Sequence, residues 1–195
     1  MFRVVVLGVH GSGTTWVFNI LRHYMCAHDI PPISGWIKSV PPLSCLGGTN
    51  WCFKTHGFYG LKDWSSIQQV KTIQVIRDKR DCIKSVQRRT GLSVSRARQM
   101  VENDLRLIKY FSNTNIPYIS YERDEISSYK AVCRIFDELD ISVCEQEKKL
   151  LDNLYSRESV KQFTKGIKVG TEGVIKDKDG LIYEINTLFQ PNHIS

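Results

Sequence analysis

The run Val4-Val5-Val6-Leu7-Gly8-Val9-His10-Gly11-Ser12-Gly13-Thr14-Thr15-Trp16 constrains this chain more than any other stretch. Its apolar start reads as a buried strand and its glycines and Ser12 as a tight loop. From Thr14 a helix follows, with Trp16, Val17, Ile20, Leu21 and Tyr24 at helical spacing. A loop of this kind cradles an anion. Glycine lets the backbone approach without a Cβ in the way, the first helical amides have no internal partner, and the helix dipole adds partial positive charge at the same point. The nucleotide-binding template G-x-x-x-x-G-K-[ST] fits from Gly8 to Gly13, but Thr14 stands at the lysine position. That lysine reaches the β/γ-phosphates, so its absence argues against ATP or GTP chemistry and for a shorter anion.

Further along, Trp51-Cys52-Phe53-Lys54-Thr55-His56 reads as a short strand ending in polar residues, where doubly wound folds place active-site groups. Lys71 to Ile76 is a second β-rich run and leads directly into Arg77, with Ser85 eight residues on inside the next helix. Arginine offers phosphate a planar fork of donors, and a serine hydroxyl adds one more. Asn115 to Glu122 reads as a further strand, ending in Tyr121-Glu122-Arg123-Asp124. Between and after these come expected helices: 61–69; 93–111, with Val94, Ala97, Val101, Leu105, Ile108 and Phe111 on its apolar face; 125–139; 144–156, burying Leu150, Leu151 and Leu154; and a last one from Gly180 through Leu188. Residues 28–50 carry Pro31-Pro32, Pro41-Pro42, Gly35 and Gly47-Gly48 and read as one long loop, which either covers surface or walls a site through Trp36 and Ile37. The alternation predicts an α/β fold, a three-layer sandwich with a mostly parallel central sheet, forming a single domain over residues 1–195. Every candidate group then falls after a strand end, along one edge of the sheet.

The net charge of +7 suits a protein that holds polyanions. Density is local at Arg77-Lys79-Arg80, at Lys84-Arg88-Arg89 and at Arg96-Arg98-Arg106; the second and third clusters read as solvated helix faces. Neither a signal peptide nor an apolar run long enough to cross a bilayer is visible, so a cytoplasmic protein is expected. Six cysteines show neither metal-ligand spacing nor the density of a disulfide scaffold, so no metal is expected and most should be buried thiols.

Four of these stretches, in this order, resemble the sulfotransferase family, whose donor is 3'-phosphoadenosine 5'-phosphosulfate (PAPS) and whose nucleotide product is 3'-phosphoadenosine 5'-phosphate (PAP). Ser12-Gly13-Thr14-Thr15-Trp16 match the family's phosphosulfate loop, Pro-Lys-Ser-Gly-Thr-Thr-Trp, while His10-Gly11 stand where proline and lysine are usual. Lys54-Thr55-His56 match its Lys-Thr-His strand end, Arg77 and Ser85 its 3'-phosphate pair, and Tyr121-Glu122 its Tyr-Glu-Asp segment. Lys165-Gly166 resemble, imperfectly, its Arg-Lys-Gly-x-x-Gly loop. The resemblance implies His56 as general base, Lys54 as a contact to the sulfonate, and Tyr121 and Trp16 near the adenine. The acceptor it implies is a hydroxyl or amine of a small molecule or carbohydrate, not a nucleic acid. Gly11 removes a usual cation beside the leaving group, for which His10 or Lys54 are candidate substitutes. A small P-loop kinase and a PAP-binding module without turnover are the alternatives.

Overall fold

A computed structural model describes residues 2–28, 30, 33–37, 50–57, 70–109 and 116–163, and the backbone of 174–176 and 182–184. Its centre is β1 (Arg3–Leu7), whose Val4 to Leu7 are fully buried. Burial on both faces is what a near-continuous apolar run means in a parallel sheet. β3 (Trp51–Thr55) and β4 (Lys71–Ile76) flank it, and β2 (Ile33–Trp36) and β5 (Tyr118–Ser120) form the edges, giving the order β2-β3-β1-β4-β5 with every pairing parallel. The chain leaves β1 for one side of the sheet and crosses to the other after β3. The carboxyl ends of β1 and β4 therefore border the switch point at which such sheets bind ligands.

Alternate residues of each strand face opposite layers. Val4, Val6, Cys52, Ile73 and Val75 pack with α1 (Thr14–Ala27) and with helices later in the chain, α4 (Tyr129–Glu138), α5 (Glu145–Leu154) and α6 (Arg157–Phe163). Val5, Leu7, Trp51 and Phe53 pack on the other face with α2 (Lys79–Thr90) and α3 (Val94–Lys109). This is the expected three-layer sandwich. No helix among the described residues is long and apolar enough to cross a membrane.

Several local expectations are corrected. The proline-rich stretch 28–50 is not wholly loop: Ile33–Trp36 pair with β3, and the Ile33 amide donates to the Asn50 carbonyl. A lone edge strand needs no alternation of its own, because its partner supplies the register. The helix expected from 125 begins at Tyr129, since Ser128 caps it by accepting from the Ala131 amide while residues 121–128 turn. Leu105 on α3 and Leu150 and Leu154 on α5 are exposed, leaving Leu151 to anchor α5. The short helix expected after Gly180 is contradicted by a strand, β7 (Ile182–Glu184), paired antiparallel with β6 (Val174–Lys176). Of the described cysteines only Cys52 and Cys82 are buried, so most are not. The expected helix 61–69 lies outside the described residues.

Candidate active site

A cavity of about 350 Å³ opens at the carboxyl ends of β1, β4 and β5, lined by Gly11, Gly13, Thr14, Thr15, Trp16, Arg77, Ser85, Tyr121 and others. Segments separated by more than a hundred residues thus meet in one crevice. The turn that makes this possible needs glycine twice. Gly11 and Gly13 both have positive φ, 84° and 98°, and Gly13 ends the loop as the N-cap of α1. A Cβ on Gly13 would sit 3.1 Å from the Tyr121 ring, and one on Gly11 only 2.8 Å from the Cys82 carbonyl oxygen and 3.1 Å from Ser85 Cβ. The lysine usual at position 11 therefore has no room here, because α2 lies against the loop.

Arg77 leaves the end of β4 just before α2, whose first amides are capped by the Asp78 carboxylate. Its Nη1 donates to the Gly11 carbonyl at 2.9 Å and its guanidinium stacks 3.8 Å from the centre of the Tyr121 ring. Among the described residues its buried Nε has no hydrogen-bond partner, the nearby Glu122 Oε1 being 3.9 Å away. Trp16 is buried and its indole nitrogen donates to the Tyr155 carbonyl, so it offers the cavity only its ring. Ser12 is buried below the loop and does not line the cavity. Lys165 and Gly166 lie outside the described residues.

Sequence reasoning missed three arginines of the cavity wall. Arg88 and Arg89, read as a solvated face, line the cavity, as does Arg157 from α6. Ser85, Arg88 and Arg89 lie three and four residues apart, so they share one helix face, and Ser85 was the available signal that this face points to the loop. Burial pushes the Arg89 guanidinium below its ordinary range, with the Asp104 carboxylate opposing.

Next to the cavity a second cluster forms at the carboxyl end of β3. Lys54 is 6% exposed, and its Nζ donates to Thr15 Oγ1 at 2.9 Å. Burial, and to a smaller extent Arg89, push its ammonium down to about 7. His56 Nδ1 lies 2.5 Å from the Gly8 carbonyl oxygen, an acceptor that only Nδ1–H can face, so Nε2 carries the lone pair. Burial first, then the neighbouring His10, holds His56 well below the usual imidazole range. The His10 ring stacks on it at 3.6 Å, and Trp36, 38% exposed, meets both rings edge-on. Asp104 of α3, also absent from the sequence reading, accepts from both the His10 amide (2.8 Å) and His10 Nδ1 (2.6 Å). Their ligand atoms lie within 4.8 Å of one another, but the stacking does not fit a shared metal. Two imidazoles on one tetrahedral ion, with metal–nitrogen distances near 2.0 Å, hold their ring centres about 5 Å apart.

No protein-family model and no curated protein sequence matches the chain. Solved structures do. Mouse sulfotransferase SULT7A1 complexed with PAP matches at TM-score 0.57 and 17% identity, over 82% of this chain and 66% of that one. Retinol dehydratase in complex with androsterone and inactive cofactor PAP matches at 0.56 and 15%, over 83% and 67%. The same enzyme with retinol and PAP matches at 0.54 and 14%, over 83% and 67%. The fold is that of the sulfotransferases. The chain spans about two-thirds of the length of the sulfotransferase-fold structures it matches.

Proposed function

We propose that this protein is a PAPS-dependent sulfotransferase, transferring a sulfonate group to a hydroxyl or amine of a small molecule or carbohydrate. The observation that carries the reading is the convergence of the anion-binding turn, Arg77, Ser85, Tyr121 and Trp16 on one cavity. A nucleotide with two anionic ends fits such a site. The phosphosulfate would lie on the turn at Gly11, Gly13, Thr14 and Thr15, Arg77 Nε and the Ser85 hydroxyl would hold the 3'-phosphate, and Trp16 and Tyr121 would flank the adenine.

Transfer is in-line. His56 Nε2 accepts the acceptor's proton as the new S–O or S–N bond forms. The bond from sulfur to the bridging oxygen breaks, and its electron pair leaves on the 5'-phosphate of PAP. Lys54, held against Thr15, regains its proton when the anion enters and stabilises charge on the moving sulfonate. PAPS supplies the reactive group; the protein supplies position and fixed positive potential. Radiolabelled PAPS incubated with the full chain and a mixed panel of phenol, alcohol, amine and sugar acceptors tests the reading. Label transferred to one acceptor class supports it, and none transferred by a chain that binds PAP contradicts it.

The second reading, a PAP-binding module without turnover, draws on Gly11: the usual cation is absent and the packing against Cys82 and Ser85 excludes it. Arg89 on the cavity wall and Lys54 behind the loop weigh against it, since both bring positive charge to the same end of the site.

A further inference from the structure

A base that works in a buried place needs something to offset the charge it acquires. If His56 takes the acceptor's proton, an imidazolium forms where burial, His10, Lys54 and Arg89 all disfavour it. Facing these groups from α3 is the Asp104 carboxylate, itself 6% exposed. Its Oδ2 receives two hydrogen bonds from one residue, His10, through the amide and through Nδ1. The second bond keeps the His10 proton on Nδ1 and leaves a ring made more electron-rich by the carboxylate. That ring lies 3.6 Å from the His56 ring, with planes 31° apart. A carboxylate this close offsets positive charge gathered on the two rings.

We propose that Asp104 and His10 form a positioning pair for His56, in which the His10 ring, held by Asp104, is the stacking platform for His56 during transfer and Asp104 supplies the counter-charge one ring away. The proton itself stays on His56 Nε2. This assigns His10 a role other than that of the cation absent at Gly11: its ring lies on His56 and its Nδ1 is taken up by Asp104. The contact is particular to this loop: His10 stands within the phosphosulfate turn, and Asp104 comes from a helix 94 residues on.

The inference rests on the sulfotransferase reading, and a mutant cycle separates the two. Maximal turnover with the acceptor that takes most label from PAPS, and PAP affinity by calorimetry, are measured for the wild type, Asp104→Asn, His10→Ala and the double variant. Asparagine keeps an oxygen for the His10 amide and removes only the charge. The expected result is a fall in kcat of about tenfold for Asp104→Asn, with PAP affinity within about twofold of wild type, and a double variant no slower than His10→Ala. Should Asp104→Asn fail to fold, His10→Phe, which keeps a ring on His56 but frees Asp104 from it, is expected to lose about tenfold in kcat with PAP affinity retained. Wild-type kcat in Asp104→Asn or His10→Phe, or additive losses in the double variant, would overturn the pair. Loss of PAP affinity in His10→Ala would do so too, by making His10 a contact to the nucleotide. A wild type that binds PAP yet transfers nothing would instead sink the sulfotransferase reading, and the pair with it.

Discussion

The two sides of the crevice solve different electrostatic problems. On the side of the glycine turn, Arg77, Arg88, Arg89 and Arg157 line one cavity, an arrangement suited to holding charge that stays fixed. On the side facing Trp36, Lys54 and His56 are buried deeply enough that both lose affinity for protons, and an aspartate is brought in against His10. That arrangement suits charge that comes and goes. On the proposed account, positive potential gathered for binding would oppose the protonation of His56 beside it, and Asp104 would offset that where the proton moves.

Substitutions should divide along the same line. The largest effect is expected for His56→Ala, a fall in kcat of about 10² to 10⁴ with PAP affinity unchanged, read from initial rates with labelled PAPS. Parallel loss of PAP affinity would merge the two sides into one. Gly11→Ala acts on the other side: a positive φ and a Cβ 2.8 Å from the Cys82 carbonyl should cost about 2 to 3 kcal/mol of stability in a thermal or urea melt and weaken PAP binding. A variant as stable as wild type would show that α2 does not brace the loop.

Lys54 gives a pH dependence with a definite sign. Its folded pKa of about 7 lies below the unfolded value of about 10.4, so between these the unfolded chain holds the extra proton. Stability of the ligand-free protein should therefore rise with pH through that window by more than in Lys54→Met. At pH 8 PAP binding should also take up part of a proton, seen by calorimetry in buffers of different ionisation enthalpy; no uptake would place Lys54 away from the anion. The smallest expected effect is at Ser128, which follows the cavity-lining Ile126 and Ser127 but does not itself line the cavity. Ser128→Ala removes the cap of α4 and should cost about 1 kcal/mol in a melt without moving PAP affinity.

How much of this was legible in the sequence follows the same division. The meeting of these residues at one cavity was readable because its parts are local: a strand, a glycine turn, and side chains such as Arg77 and Tyr121 that directly follow strands. The parallel sheet was readable for a related reason, since Val4 to Leu7 are buried on both faces and carry no alternation. Asp104 was not readable. Its contact with His10 depends on how α3 packs across the sheet, and an aspartate on an amphipathic helix looks like any solvated acid. Arg89 was misread for a similar reason, because charge density marks a face without saying what it faces. β2 was hidden by Gly35 and by the proline pairs on either side of it, which speak for a loop even though Ile33–Trp36 lean on β3 for their order.

Calorimetry of PAP against AMP, which lacks the 3'-phosphate, on the wild type and on Arg77→Ala tests the nucleotide assignment most directly. Binding of PAP at least about a hundredfold tighter than AMP in the wild type, with the gap collapsing in Arg77→Ala, is the result expected of a site with two anion grips. Equal affinity for the two nucleotides in the wild type would contradict it.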